Sequence, residues 1–217
     1  QGPVTAPVSI EPQFPPDWYV DASRPDDTGD GFTPATAKKY IETVINTQYL
    51  ASGDTIHVAP GVYDTGAFEQ PVKFVSDRNT VAKARVSVAP GITLKADQGP
   101  EKTFIVGAGT AGDAHGLGDD SIRCAFVQGG GKLEGFTLTG GHTASGSDEY
   151  DGFVGGGVLA KDYGGTPYAV IENCIISNNF ARRGGGGYGG LYRNCRIVGN
   201  YAMGNPPAVG RAALSGC

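Results

Sequence analysis

The sequence predicts an all-β protein whose chain winds into a parallel β-helix, and three observations carry that prediction. Glycine supplies 36 of the 217 residues, more than twice its usual share of about 7%. Only one segment has the apolar spacing of a helix, so the short β-like runs cannot belong to repeated βαβ units. The segment 171–176 aligns with 192–197 at an offset of 21 residues, which fits a coil of short strands.

Composition and charge exclude several classes of protein. The formal net charge of −5 and the pI near 5.1 argue against a nucleic-acid partner, because binding phosphate requires a basic surface. Glycine follows no three-residue period, which excludes a collagen triple helix. No stretch approaches the roughly 18 apolar residues of a membrane helix, so we expect no transmembrane segment. Four cysteines in 217 residues are too few for a small disulfide scaffold.

The N-terminal part predicts an arm, a helix and then strands. Residues 1–17 contain five prolines and little periodic pattern, which indicates an extended arm before a single domain at 18–217. Thr33 followed by Pro34 is a helix start signal, and the apolar spacing after it predicts one helix near 34–50. Short strands bounded by turn residues follow at 55–58, 85–88, 92–95 and 103–106.

The repeat also predicts which side chains stack from coil to coil. Each coil lies about 4.8 Å above the one before, so equivalent inward positions form columns. Asn173 and Asn194 fall at the same corner and are expected to hydrogen-bond along the stack. A long loop near 142–165 interrupts the repeat. The expected inward columns are Phe136, Cys174, Cys195 and Cys217 in one, and Leu138, Ile176 and Ile197 in another.

The end of the sequence carries an expectation about partners. Cys217 falls within a predicted strand, and a coil stack without a cap exposes unpaired backbone and apolar side chains. Either the chain belongs to a longer protein, or self-association or another protein covers its C-terminal coil. The sequence favours neither. A disulfide between Cys174 and Cys195 is compatible with their expected separation and stays equally open.

Motifs spread over residues 18–217 resemble a known group of proteins. They are Trp-Tyr-Val-Asp-Ala-Ser at 18–23, Asp-Gly and Pro-Ala-Thr-Ala within 30–37, Gly-Asp-Thr-Ile-His-Val-Ala-Pro-Gly-Val-Tyr at 53–63 and Leu-Glu-Gly-Phe-Thr-Leu-Thr-Gly-Gly at 133–141. They look like segments of secreted bacterial right-handed parallel β-helix proteins of the pectin-lyase-like superfamily. The resemblance implies a right-handed coil whose N-terminal end is plugged by the 34–50 helix, and an extracellular or bacterial cell-surface location. The superfamily includes lyases, hydrolases, adhesins and structural stalks, so function stays open.

Two acidic segments are candidate binding sites. Asp26, Asp27 and Asp30 lie in a tight Asp/Gly turn, where clustered carboxylates suit calcium, although such turns are common without metal. No other cofactor is indicated. The second segment interrupts the repeat with charge and an aromatic ring together, as binding loops do. Its residues are Asp148, Glu149, Tyr150 and Asp151.

Basic residues give a further candidate surface and an alternative function. Arg182, Arg183, Arg193 and Arg196 stand out in an acidic protein and are expected to grip a sulfated or uronic polymer, an acidic partner, or only neighbouring carboxylates. A polysaccharide lyase needs a basic residue to remove a proton; its candidates are Lys95, Lys132, Arg123, Arg193 and Arg196. Glu134 and Glu172 fall at equivalent positions, but Arg193 follows them, which indicates charge compensation rather than a hydrolase's acid pair.

Two functional hypotheses follow from the sequence. The leading one is a secreted or cell-surface structural or adhesive protein that assembles with other subunits or binds extracellular carbohydrate. The alternative is a polysaccharide lyase, or a related carbohydrate-active enzyme, acting on an acidic glycan. Release of unsaturated, ultraviolet-absorbing products from uronate polymers separates the two.

Overall fold

The computed structural model describes residues 16–71, 81–145, 152–161, 168–204 and 206–217. Strands make up nearly all of the regular structure in these ranges. The predicted proline-rich arm at 1–17 lies almost wholly outside the described residues, and the first strand begins at Asp17. The all-β prediction is therefore confirmed.

Three sheets, here named A, B and C, contain most of the strands. All their pairings are parallel except the antiparallel β4–β5 pair. Sheet A contains β1 (Asp17–Val20), β2 (Thr55–Val58), β6 (Thr93–Ala96), β9 (Lys132–Glu134), β12 (Val170–Glu172), β16 (Leu191–Arg193) and β20 (Ala213–Ser215). Sheet B contains β3 (Gly61–Tyr63), β7 (Thr103–Val106), β10 (Thr137–Thr139), β13 (Ile175–Ser177) and β17 (Arg196–Val198). Sheet C contains β4 (Phe68–Pro71), β5 (Val81–Val88), β8 (Ile122–Gln128), β11 (Val158–Lys161), β15 (Gly187–Tyr188) and β19 (Val209–Gly210), and a separate pair joins β14 (Phe180–Ala181) to β18 (Tyr201–Ala202).

The chain visits the three sheets in a fixed rotation. From β2 onward each strand of sheet A is followed by one of sheet B, then sheet C, and then the next strand of sheet A. The register aligns Thr55, Thr93, Lys132 and Val170 at intervals of 38 or 39 residues, whereas the last two coils are 21 and 22 residues long. The architecture is a parallel solenoid, and the repeat visible in the second half of the sequence extends through the first half as well.

The interior consists of columns of apolar side chains, one residue from each coil. On sheet A, Leu94 stacks on Ile56 and Leu133 on Leu94, and all three are fully buried. On sheet B, Leu138, Ile176 and Ile197 are partners in successive strands, as the sequence predicts. The complete sheet A column is Trp18, Ile56, Leu94, Leu133, Ile171, Tyr192 and Leu214.

The predicted cysteine column is present at the corner after sheet A. The backbone N–H of Cys195 donates to Sγ of Cys217 at 3.4 Å, and the N–H of Arg196 donates to the carbonyl of Cys174 at 2.9 Å. Cys174 and Cys195 are buried, and both are free thiols. The three cysteines therefore lie in consecutive coils, without the disulfide that the sequence left open.

The helix prediction was wrong in extent. Instead of one helix near 34–50, the structure has a 3₁₀ turn at Pro34–Thr36 and a five-residue α-helix, α1, at Ile41–Ile45. A helix this short is not stable alone; it is held because Ile41 and Val44 are buried in the N-terminal part of the core. No helix in the described residues is long and apolar enough to cross a membrane.

The long-loop prediction also needs a correction. The range 142–165 contains β11, which pairs with β8 and β15 in sheet C. The excursion is thus divided into two connections, one on each side of that strand. Leu159 within this strand is buried. The strand therefore belongs to the core, although the glycine-rich sequence around it resembles a loop.

Candidate functional site

The outer face of sheet A carries a continuous row of polar side chains. Because side chains alternate between the two faces of a strand, each residue next to an inward Ile or Leu points outward. The register places His57, Lys95, Glu134, Glu172 and Arg193 on successive strands. These five residues are called the charged row, and at about 4.8 Å per coil they span about 19 Å.

Beside the centre of the charged row, the neighbouring outward residue of β9, Lys132, is held between two glutamates of the row. Nζ of Lys132 lies 2.8 Å from Oε2 of Glu134 and 2.6 Å from Oε2 of Glu172. Partial burial alone would lower the pKa of Lys132, but its hydrogen bonds to the two carboxylates outweigh that effect and raise the pKa above its ordinary value. Lys132 is consequently protonated at neutral pH and is poorly suited to act as a general base.

Two cations flank this clamp. Lys95 lies on the N-terminal side of Glu134, and Arg193 lies on the C-terminal side of Glu172. Among the residues that the structure describes, neither side chain has a hydrogen bond or an ion pair. Arg193 is exposed and Lys95 is partly exposed. Both charges are therefore available to a ligand that lies along the row.

The N-terminal end of the row is a histidine between two aspartates. Nδ1 of His57 lies 2.7 Å from Oδ1 of Asp97, and Nε2 lies 3.4 Å from Oδ1 of Asp17. The Tyr19 ring stacks on the imidazole with a centroid distance of 5.1 Å. Since each ring nitrogen faces a carboxylate, neither nitrogen of this histidine is free to act as a base or to bind a ligand.

Lys132 partly neutralises the two glutamates. Their equivalent positions were predicted, but Glu172 binds Lys132, predicted only as a candidate base, in place of the expected contact with Arg193. Within the described residues, Lys132 binds both carboxylates and leaves no isolated acid pair on this face. Lys132 and Glu134 are two residues apart on one strand, and such residues share a face. This spacing was the sequence signal for their ion pair.

The predicted arginine group is distributed over different parts of the coil. Arg193 is the last residue of β16 in sheet A, and Arg196 is the first of β17 in sheet B. Arg182 and Arg183 follow β14, and both are partly buried. The structure thus brings Arg193 into the charged row, while ligand binding by the other three stays a prediction. Asp148, Glu149, Tyr150 and Asp151 lie outside the described residues.

The predicted calcium loop uses its carboxylates to hold the chain. Asp26 accepts from the N–H and the hydroxyl of Thr28, and Asp30 accepts from the N–H of Phe32 and the hydroxyl of Thr36. The hydrogen bonds to the two threonines lower the pKa of Asp26 and of Asp30 below the ordinary value.

Asp27 organises the start of α1. Its carboxylate accepts from the N–H groups of Lys39 and Tyr40 and from the hydroxyl of Thr43. Over the ranges that the structure describes, no three His, Cys, Asp or Glu side chains converge on a point that suits a metal ion. Calcium binding by Asp26, Asp27 and Asp30 stays a prediction from the sequence.

Two features were missed at the sequence level. Stacked rings cover the corner after sheet B: Phe180 lies 4.8 Å from Tyr201 and 5.0 Å from His115, centroid to centroid. The Phe180/Tyr201 repeat was visible, but His115 comes from a distant loop that the sequence marks only as polar. A cleft of about 210 Å³ lies between α1, β3 and β5, and its three segments have no common sequence signal.

Comparison with known proteins supports the fold. Neither a protein-family model nor a curated protein matches the sequence. The fold is similar to that of a rhamnogalacturonan lyase. The likeness has a TM-score of 0.52 at 13% identity and covers 93% of this chain and 50% of that chain. The chain therefore spans half the length of that structure, and at this identity the likeness concerns the parallel all-β fold alone.

Proposed function

We propose that this protein is a non-catalytic carbohydrate-binding solenoid whose charged row on sheet A holds an extended acidic polysaccharide. The single observation that carries the proposal is a pair of cations, Lys95 and Arg193, on either side of the Lys132 clamp, neither of which has a partner among the described residues. Three coil steps separate them, about 14 Å. That arrangement suits a polymer with carboxylates or sulfates at intervals.

The geometry of the row supports a linear ligand rather than a compact one. A coil step of about 4.8 Å is close to the length of one pyranose unit, so a glycan that runs along the solenoid axis meets a new polar side chain at each sugar. Guanidinium and ammonium groups donate charge-assisted hydrogen bonds to carboxylates and sulfates. The two clamped glutamates can accept bonds from sugar hydroxyls without repelling the polymer, since Lys132 neutralises part of their charge.

The lyase alternative has weaker support. Its basic residue would have to lose a proton near neutral pH, and the raised pKa of Lys132 opposes this. Lys95 stays a candidate base because no carboxylate among the described residues clamps it. The structural neighbour is a lyase by name, which is the reason to test for lyase activity directly.

The proposal also covers the handedness of the coil, the location of the protein and its self-association. The A–B–C rotation supports a closed right-handed parallel β-helix, because parallel crossovers are right-handed in about 98% of cases. An extracellular or cell-surface location follows from the nature of the ligand. Self-association through coil ends belongs to the same proposal, and light scattering tests it.

The binding test compares polygalacturonate with neutral dextran by isothermal titration. Wild-type protein is expected to bind polygalacturonate and not dextran, and added salt should weaken binding, because salt screens exposed charges. Lys95→Ala and Arg193→Ala should each lower the affinity about three- to tenfold. The matched control is Lys102→Ala, which removes an exposed cation in the turn before β7 and should change nothing.

Two results would contradict the proposal. Equal binding by wild type and the Lys95→Ala, Arg193→Ala double variant would remove the charged row from the binding site. A rise in ultraviolet absorbance during incubation with polygalacturonate would establish the lyase alternative instead. The same titration sample provides both readings.

A further inference from the structure

We propose that the cleft between α1, β3 and β5 is a second carbohydrate site, which takes one neutral pyranose ring. The inference rests on the proposed carbohydrate-binding function, but it concerns a different part of the molecule from the charged row. Its volume of about 210 Å³ is below the roughly 300–1,000 Å³ of pockets for drug-sized ligands, so a single sugar fits better than an oligosaccharide.

The lining has balanced charge. Two cations, Lys39 and Arg85, and two carboxylates, Glu42 and Asp64, border the cleft. Their formal charges cancel, so the cleft offers no net attraction to an anion. A uronate entering it would approach both carboxylates. A neutral ligand with many hydroxyl groups avoids that repulsion and uses donors and acceptors alike.

Arg85 is fixed in place and still has donors to offer. Its Nε donates to the carbonyl of Val106 at 2.7 Å, and its Nη1 donates to the carbonyl of Gly66. A guanidinium has five N–H groups, so three remain after these two bonds. The side chain is therefore rigid at the cleft wall, which reduces the entropy lost when it binds a ligand.

The Glu42 side chain reaches the same glycine from α1. Gly66 has a φ of 74°, which favours glycine, and a Cβ there would touch the Glu42 carboxylate, so the two groups are close neighbours. In the described part of the chain, no hydrogen bond or ion pair reaches the side-chain carboxylate of Glu42. An unpaired acceptor thus faces a cleft whose other wall carries the spare donors of Arg85.

The rest of the wall is apolar and aromatic. The Tyr40 ring is 41% exposed and Val62 is 54% exposed, and Ile41 lies beside them. Sugar rings present C–H groups on one face and hydroxyls around the edge. Tyr40 and Val62 can cover the C–H face, while Glu42 and Arg85 bind the hydroxyls. This combination distinguishes the cleft from the charged row, which lacks apolar side chains.

The test is a titration of the full chain, monitored by NMR, with methyl glucoside and methyl galactoside, and the charged comparator is the methyl glycoside of galacturonic acid with its carboxylate free. A neutral glycoside should bind saturably with a millimolar dissociation constant, and more tightly than the galacturonate. Glu42→Gln should weaken binding about tenfold, and Tyr40→Ala should weaken it as well. Glu101→Gln, the same chemical change on an exposed turn, is the matched control and should bind as wild type does.

Three outcomes would overturn the inference: no saturable binding of either neutral glycoside, tighter binding of the galacturonate, or wild-type affinity in both Glu42→Gln and Tyr40→Ala. The charged-row variants separate this failure from failure of the proposed function. If the wild-type protein binds a neutral glycoside but not polygalacturonate, only the charged-row proposal fails. If it binds polygalacturonate in a way that the charged-row variants weaken but binds no neutral glycoside, only the cleft inference fails.

Discussion

Asn179 shows how one buried amide fastens the corner after sheet B. The side chain is 1% exposed. Its Nδ2 donates to the carbonyl of Leu138 at 2.9 Å and to Oδ1 of Asn200 at 3.0 Å, and its Oδ1 accepts from the N–H of Gly141 at 2.8 Å. Asn200 repeats the role one coil later, donating to the carbonyl of Ile176 at 2.8 Å. The asparagine side chains that bond along the stack are thus at 179 and 200.

At the residue scale we expect Asn179→Leu to be strongly destabilising. The leucine fills a similar volume but leaves the carbonyl of Leu138 and the N–H of Gly141 buried without partners. At about 1–3 kcal/mol for each of the two groups left unpaired, the free energy of unfolding should fall by about 2–6 kcal/mol. Urea denaturation measures it, with exposed Asn46→Leu as the control, expected within about 0.5 kcal/mol of wild type. An unfolding midpoint equal to that of the control would refute the assignment.

The corner after sheet A depends on a backbone conformation rather than on a side-chain bond. Gly135, Asn173, Asn194 and Gly216 occupy it in successive coils, and their φ angles are 79°, 53°, 51° and 65°. Asparagine tolerates this left-handed region better than other non-glycine residues do. The prediction that Asn173 stacks with Asn194 at a corner was therefore right about position, but among the described residues the asparagine side chains that hydrogen-bond along the stack are those of Asn179 and Asn200.

At the element scale the corner can be tested by two substitutions at one site. Asn173→Gly should stay within about 0.5 kcal/mol of wild type, because glycine adopts a positive φ without strain. The only expected cost is the greater conformational entropy that glycine gives the unfolded chain. Asn173→Val should cost about 1–3 kcal/mol, since a β-branched residue is strained in this region. Thermal unfolding followed by circular dichroism compares them. Equal melting temperatures for the two variants would contradict the backbone explanation.

Over the whole molecule, the inward columns make each coil depend on its neighbours. Leu133 lies between Leu94 and Ile171 in the sheet A column and is fully buried. Leu214 occupies the equivalent position in β20 but is 55% exposed. Side chains in the middle of the column therefore bury more apolar surface than the one in β20.

This difference predicts a gradient of mutational cost along the solenoid. Leu133→Ala removes a buried side chain and leaves a cavity, so it should lower the free energy of unfolding by about 2–5 kcal/mol. Leu214→Ala makes the same chemical change at an exposed position and should cost less than about 1 kcal/mol. Guanidinium denaturation of both variants measures the difference. Similar costs at the two sites would show that the column does not carry the stability.

The helix and the charged row could be predicted only in part from the sequence. Apolar spacing predicted one helix near 34–50, yet α1 has only five residues and is held by the Asp27 carboxylate and by burial. The row was visible as separate charges. Lys132 binds Glu134, which is close in sequence, and Glu172, which is 40 residues later, and only the register of the coils brings that second carboxylate within reach.

The amino-acid pattern alone determined the parallel coil, its inward columns and the placement of Cys174 over its equivalents, because a repeated apolar position must stack on itself to be buried. The tertiary structure decided which charges pair and where the cleft opens. Outward side chains do not have to be buried, so the apolar pattern does not determine their partners. Those partners depend on how the loops between strands align one coil with the next. Glu42, Gly66 and Arg85 meet for that reason, although nothing in their local sequence relates them.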